Sequence, residues 1–320
     1  MAIAMSVDQR VVIIAWKRLS RRTELLSKAL HAKMLFFPDK LPYFRAAFLT
    51  IRAMAKIKPD AVIVQLPQGP LLLEALMLKL FYSYKLVADV HTGFLMKWEW
   101  KSLILNMPFK RLLNKCDVIV IHNEKMRELL PSDSKQKVLV VYDPWYMIKP
   151  IRTPSSSKEQ YVVFPASYHP DEPLEEVLEA AKELCPNVKL VITGDWKKCP
   201  QLKRYASEQI RFTGFLSNNE YELLIANASG IISGTKEEYT ALMSAWEAIA
   251  HAKPLAITKS QALEETYGCY PIYYDWRDKK SIAAAINHLL ISSPNMAARN
   301  RLYAVALESL EKLWGLITPL

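Results

Sequence analysis

Short runs of β-branched and apolar residues recur along the chain, each followed by a longer stretch in which apolar positions keep helical spacing. That alternation is the signature of βα units wound around parallel sheets. In the first half, strands are expected near 11–15, 34–37, 61–66, 85–90, 118–122 and 138–142. The stretch DPWYMIKPIRTPSSSKEQ, residues 143–160, then gathers three prolines and three serines without periodicity and reads as a connecting segment. Beyond it the alternation resumes, with strands near 161–164, 188–193, 210–213, 230–233, 254–258 and 271–274. The pattern predicts an α/β chain of two doubly wound, Rossmann-like parallel-sheet domains, residues 1–146 and 161–320, joined by a linker over 147–160. A last amphipathic pattern, 295–314, can pack back on the first domain. Ligands of such sheets bind outside the carboxyl ends of the strands, so a cleft between two facing domains is the expected site.

Composition narrows the class. With 51% apolar and 23% charged residues and only 8 glycines in 320, the chain is globular rather than disordered, collagen-like or a rod. One hydrophobic core seldom grows beyond about 250–300 residues, which favours two domains. Cys116, Cys185, Cys199 and Cys269 form no C-x-x-C pair, and no histidine stands at zinc-ligand spacing, so neither disulfides nor a metal site is expected. The opening MAIAMSVDQR lacks the basic and apolar regions of a secretion signal, and polar residues interrupt the most apolar stretch, 61–84, too often for a membrane span. A cytoplasmic protein is expected. Residues 1–150 carry 24 Lys and Arg against 12 Asp and Glu, whereas 151–320 carry 18 against 20. The first half should therefore meet an anionic partner. Its cations are not interleaved with a recognisable nucleic-acid module, so that partner is not expected to be nucleic acid.

The G-x-G-x-x-G, P-loop, H-E-x-x-H and G-x-S-x-G motifs are absent, as is an Asp-x-Asp pair that would hold a divalent ion against a diphosphate. The informative block is SGTKEEYTALMSAWEAIAHAKPLAIT, residues 233–258: a strand, a short loop, a helix, then Lys253-Pro254 and another strand. A helix beginning near Tyr239 or Thr240 would offer unpaired N–H groups and a positive dipole end to phosphate oxygens. Glu247, seven residues past Thr240, would lie on the same face roughly 10 Å along the axis, where its carboxylate can accept from ribose hydroxyls. On this physics alone, an ordinary solvated helix carboxylate is the commoner case.

Glu247-Ala-Ile-Ala-His-Ala-Lys-Pro-Leu resembles the E-A-x-A-x-G-x-P-[LV] signature of the GT-B glycosyltransferases, particularly the retaining, family-4-like enzymes. FPASYHPDEPLEEVLEAA, VKLVITGDWKK and IRFTGFLSNNEYELLIANASGIIS extend the likeness over most of the second half. The resemblance implies that Glu247 binds the donor ribose and that Glu238, Tyr239 and Thr240 form a variant donor loop. It also implies that Lys197 or Lys198, after Gly194 and Asp195, neutralises the donor diphosphate in place of a metal. Beyond the nucleotide-sugar substrate no cofactor is implied. Two positions depart from the pattern: Tyr239 stands where many members carry a second Glu, and Ala252 where the signature has glycine. Tyr168, His169 and Asp171 follow a strand end and could line the site, although the acids of 171–176 are better read as a helix start.

In KLVADVHTGF, residues 85–94, Asp89 and His91 fall where a parallel strand meets its loop, and the segment is similar to the D-x-H segment of GT-B acceptor domains. That likeness implies that His91 hydrogen-bonds the transferred sugar and that Asp89 orients it or acts as a base. Structural roles are the alternative for both. Arg18, Arg21 and Arg22 surround the start of a helix that Ser20 or Thr23 can cap; they suit a phosphate-bearing acceptor, or simply make a solvated basic helix start. FLMKWEWKSLILNMPFKRLLNK, residues 94–115, mixes aromatics and cations as an interfacial anchor does, or as a core-packed helix with solvated lysines does. The expected function is a metal-independent glycosyltransferase that moves a sugar from a nucleotide-sugar to a hydroxyl of a lipid-linked or other glycan acceptor at an anionic membrane surface. The family-4-like resemblance implies retention, while the D-x-H likeness extends to inverting mannosyltransferases and leaves the stereochemistry open. A non-catalytic GT-B subunit and a nucleotide-sugar 2-epimerase are the competing readings.

Overall fold

The computed structural model describes residues 10–96, 106–151, 160–184 and 188–318. Among them, β1 (Val11–Trp16), β2 (Lys33–Phe37), β3 (Ala61–Gln65), β4 (Lys85–Asp89), β5 (Val118–Ile121) and β6 (Val138–Val140) form one sheet in the order β2-β1-β3-β4-β5-β6. A second sheet joins β7 (Tyr161–Phe164), β8 (Lys189–Thr193), β9 (Ile210–Gly214), β10 (Gly230–Ser233), β11 (Leu255–Thr258) and β12 (Ile272–Tyr274) in the order β12-β11-β10-β7-β8-β9. Every pairing is parallel. The strands fall on the continuous apolar runs because a parallel strand covered by helices on both faces has no solvent side to make polar.

The chain divides into two compact units, Met1–Met147 with Ala304–Leu320, and Ile148–Tyr303. Helices α1 (Arg21–Ala29), α2 (Phe44–Ile57), α3 (Gly69–Leu78) and α4 (Thr92–Leu95) belong to the first unit. The second holds α5 (Leu174–Ala180), α6 (Asn218–Asn227), α7 (Met243–Ala250), α8 (Gln261–Tyr267) and α9 (Lys279–Ile291), and α10 (Met296–Ile317) contributes residues to both. In the first unit, Leu26 and Leu30 at the end of α1 pack with Ile13, Val87 and Val120 of the sheet and with Leu310 and Leu313 of α10. The direction of crossover reverses after β2, so right-handed connections put α2 and α3 on the opposite face from α1. There they touch each other and β2, β3 and β4. In the second unit, Phe164, Leu190 and Ile192 pack under α5 and α9 through Val177, Leu178, Ile286 and Leu289.

The expected connecting segment begins as packed structure. Asp143 and Trp145 are buried and Trp145–Met147 is a 3-10 turn, while residues 152–159 lie outside those described. Strand order reverses between β1 and β3 in one sheet and between β7 and β10 in the other. Loops leaving the carboxyl ends of strands on either side of such a reversal diverge and leave room for a ligand.

Ala252 explains one departure from the family signature. Helix α7 ends in a Schellman pattern, with Lys253 N donating to Ala248 O at 2.9 Å and Ala252 N to Ile249 O at 3.1 Å. This places Ala252 at φ 50°, the left-handed region that glycine favours. Ala252→Gly should therefore stabilise the protein by about 1 kcal/mol, the relief of a left-handed alanine less the added entropy of the unfolded chain. Urea denaturation tests this, and a lower midpoint in the glycine variant would refute it.

Candidate active site

In the first unit the polar residues gather at the carboxyl ends of the strands. Arg22, in the first turn of α1, turns inward and is only 3% exposed. Its Nε donates to Asp89 Oδ1 at 3.1 Å and its Nη1 to Asp143, while Nη2 is buried with no partner among the described residues. Burial by itself would lower the Arg22 pKa, but the two carboxylates outweigh it and the net shift is upward. Asp89 is 1% exposed. Its burial favours the neutral acid, yet Arg22 and a hydrogen bond from His91 reverse that and hold the carboxyl well below the usual range. Asp143 is the second carboxylate on a single guanidinium; burial wins there and its pKa is raised.

Asp89 Oδ2 lies 3.2 Å from His91 Nε2. An ionised carboxylate can only accept, so Nε2 carries the proton and Nδ1 is the nitrogen left to meet a ligand. His122, just after β5, sets its ring edge-on to that of His91, with centroids 4.8 Å apart and planes at 79°. Burial, then Arg22 and His91, push its pKa well below the ordinary histidine value, so it is neutral near pH 7, and its Nε2 is buried without a partner among the described residues. Ligand atoms of Asp89, His91 and His122 lie within 4.8 Å of one another. A cation placed there would lie against the Arg22 guanidinium, whose charge opposes it.

Three expectations change. Arg22 is sealed between two acids and does not reach an acceptor phosphate, because its charge is needed to neutralise carboxylates already out of water. Arg21 pairs with Glu24 at 3.3 Å, which leaves Arg18 as the exposed arginine of the three. The Arg18 loop is clamped by Gln65, whose Oε1 accepts from Ser20 N at 3.0 Å and whose Nε2 donates to Arg18 O at 2.9 Å. Asp89 is buried and engaged by both Arg22 and His91, an arrangement that suits holding the His91 ring better than taking a proton. Of the supposed anchor 94–115, Phe94 and Leu95 are core residues, Lys110 donates to Leu95 O, and 97–105 lie outside the described residues.

In the second unit, Gly194 takes φ +85°, and a Cβ there would come within 2.1 Å of Ala166 O, so only glycine lets the loops after β7 and β8 touch. Lys198 Nζ donates to Ser167 O at 2.8 Å across that contact, whereas the Lys197 side chain is exposed. The acids after β7 tie loops together. Glu172 accepts from Ser167 N and Tyr168 N, both at 2.9 Å, and Asp171 accepts from the Thr235 hydroxyl at 2.8 Å, bridging the two sides of the strand-order reversal.

Helix α7 starts at Met243, not at Tyr239 or Thr240. The intervening residues are held as a loop. Glu238 turns to the start of α8, accepting from Ala262 N at 3.3 Å, and the Tyr267 hydroxyl accepts from Leu242 N at 2.9 Å and donates to Leu242 O at 2.8 Å. Thr240 Oγ1 is buried with no partner among the described residues. Glu247 therefore lies about 6 Å, one turn, inside the helix, and its Oε2 accepts from the Tyr221 hydroxyl of α6 at 2.6 Å. Gly194, Lys197 and Lys198 share one loop, while Glu238 caps a neighbouring helix instead of joining Glu247. Sequence reading missed Gln65, His122, Asp143, Tyr221 and Thr235. All but Tyr221 stand at or just past a predicted strand end, the rule that singled out Asp89 and His91.

Residues 149–305 match the family described as glycosyl transferases group 1. The second unit is a group 1 glycosyltransferase domain. Among solved structures, HepE of Anabaena in complex with UDP-glucose superposes with a TM-score of 0.73 over 96% of this chain and 99% of its own, at 13% identity. A glycosyltransferase from Rickettsia africae gives 0.70 over 97% and 98% at 14% identity. The lipopolysaccharide outer core galactosyltransferase WaaB gives 0.65 over 97% and 99% at 12% identity. No curated protein matches by sequence. This likeness establishes the GT-B fold for the chain, two Rossmann-like α/β units, each with a parallel sheet.

His122, just past β5, is thus a neutral, partly buried histidine. In the unfolded chain His122 takes up a proton near its ordinary value of 6.5, but in the folded protein only well below it. Stability is therefore full above that value and falls as pH drops beneath it, by up to about 1.4 kcal/mol per pH unit. His122→Asn should flatten the decline between pH 6.5 and 5 in denaturant titrations; an unaltered slope would remove His122 as its source.

Proposed function

We propose that the chain transfers a sugar from a nucleotide-sugar to a hydroxyl of a lipid-linked or other glycan acceptor at the cytoplasmic surface of a membrane, without a metal and with retention at the anomeric carbon. The observation that carries this reading is Glu247, oriented by Tyr221 on a helix of the group 1 domain, where the family signature implies a ribose-binding carboxylate. Lys197, exposed on the Gly194 loop, supplies positive charge to the diphosphate while Lys198 fixes the loop's shape. In the first unit, His91 meets the transferred sugar through Nδ1. Asp89 holds that ring and, being ionised and sealed by Arg22, does not take the acceptor's proton, which favours retention. Arg18 remains available to an acceptor phosphate.

HepE was solved with UDP-glucose, which makes UDP-sugars the first donors to try. Glu247→Gln should leave the fold intact and weaken donor binding by roughly 1.5–3 kcal/mol, the range for a hydrogen bond to a charged group. Calorimetry with a panel of nucleotide-sugars reads this directly, and equal affinity would withdraw the assignment. His91→Ala should depress turnover more than donor affinity, as expected of a contact that strengthens when charge develops; an unchanged rate would return His91 to a structural role. Donor binding without turnover in the wild type would instead identify a non-catalytic subunit, the reading favoured by Tyr239 at the family's glutamate position.

A further inference from the structure

Helix α2 has two apolar stripes where a surface helix needs one. Its buried positions are Ala46, Thr50 and Met54, which face the sheet. Phe44, Phe48 and Ile51 form a second stripe on the opposite side, at i, i+4 and i+7, and all three are exposed, Phe44 by 77%. The neighbouring α3 repeats the arrangement. It buries Leu71, Leu72, Ala75 and Leu78 and exposes Leu73 and Met77, and the turn just past its end adds Leu80 and Phe81 to the exposed apolar residues. Leu80 and Phe81 are 82% and 79% exposed. The two helices pack on each other, so the outward stripes belong to one face of the first unit. Folding gains nothing from them, and contiguous exposed apolar surface of this kind marks a binding face.

Charge selects what binds. From Lys40 to Lys58 the chain carries five cations and no acid. Arg45, Arg52 and Lys56 line the flank of the Phe44 stripe, and the Arg52 guanidinium lies 5.7 Å from the centre of the Phe48 ring. The acids that flank this run in sequence are already engaged: Asp39 accepts from Ala46 N at 3.0 Å and Asp60 pairs with Arg10. Glu74, the carboxyl within α3, is pushed up to about 8 by burial and is largely protonated at neutral pH. A second copy presenting the same face would set cations against cations. A bilayer of anionic lipid offers both an apolar interior to the aromatic stripes and negative headgroups to the flank. None of the described helices is long and apolar enough to cross a membrane.

We propose that the outward faces of α2 and α3 are the surface by which this protein docks on an anionic membrane, with Phe44, Phe48, Leu80 and Phe81 entering the interface and Arg45, Arg52 and Lys56 meeting headgroups. This rests on, and deepens, the reading of an acceptor presented at a membrane. The test is co-sedimentation of the full chain with vesicles of phosphatidylcholine alone or mixed with phosphatidylglycerol. Binding should require phosphatidylglycerol and weaken as salt rises. Combined Phe44→Ser, Phe48→Ser and Leu80→Ser substitutions should reduce it at least tenfold. Arg45→Gln, Arg52→Gln and Lys56→Gln together should reduce it roughly a hundredfold, about fivefold per cation, and blunt its salt dependence. Because all six side chains are exposed, thermal midpoints should be unchanged. Undiminished binding by either variant, or no preference for anionic vesicles in the wild type, overturns the proposal. So does a wild-type dimer that the serine variant converts to monomer, since a second copy would then cover the face. Nucleotide-sugar affinity, measured on the same three proteins, should be equal; its absence in all three would count against sugar transfer and leave the vesicle result standing by itself.

Discussion

A guanidinium removed from water has to be matched by negative charge, and Arg22 is matched twice, by Asp89 from the end of β4 and by Asp143 from beyond β6. Three distant parts of the chain are thereby fixed to one point of the first unit. Losing one member would strand the others in a medium that cannot solvate them, a cost of roughly 3–5 kcal/mol in comparable buried pairs. The same balance keeps Asp89 ionised, which decides the proton position on His91 and so which nitrogen faces outward. It also bears on His122, whose charged form is disfavoured first by burial and then by Arg22. The structural charge pair and the proposed site are here one object.

Loop closure follows a second economy. The chain has only 8 glycines, and neither sheet opens with the glycine-rich turn common to nucleotide-binding folds. Side chains close the loops instead. Gln65 uses both ends of its carboxamide to hold the turn after β1, where Lys17 takes φ 63° without being glycine. Glu172 and Asp171 do the same after β7. Two glycines stand where no side chain fits: a Cβ on Gly194 would meet Ala166 O, and one on Gly234 would come within 2.5 Å of Thr258. Ala252, like Lys17, takes the left-handed region without being glycine, at a helix end where strain, rather than collision, is the cost.

The pattern of apolar residues determined much of this protein. All twelve strands among the described residues lie where short β-rich runs were expected, and the central ones are apolar nearly throughout because both faces are buried, a requirement that is local. Asp89 and His91, and the family signature around Glu247, were legible for a similar reason: each is a short segment whose position relative to its strand or helix is set by neighbours in sequence. Tertiary structure decided which charges meet. Nothing local distinguishes Arg22 from Arg21 or Arg18, yet one is sealed, one pairs with Glu24 and one is exposed, depending on which side of α1 faces acids 67 and 121 residues away. Asp143 read as part of a connecting segment because its partner lies far back in the chain. The start of α7 was misplaced because Tyr267 and the first turn of α8 hold the preceding loop. The second stripe on α2 is plain in the sequence as helical spacing, but only the packed sheet shows which stripe is spent on the core and which is left outside.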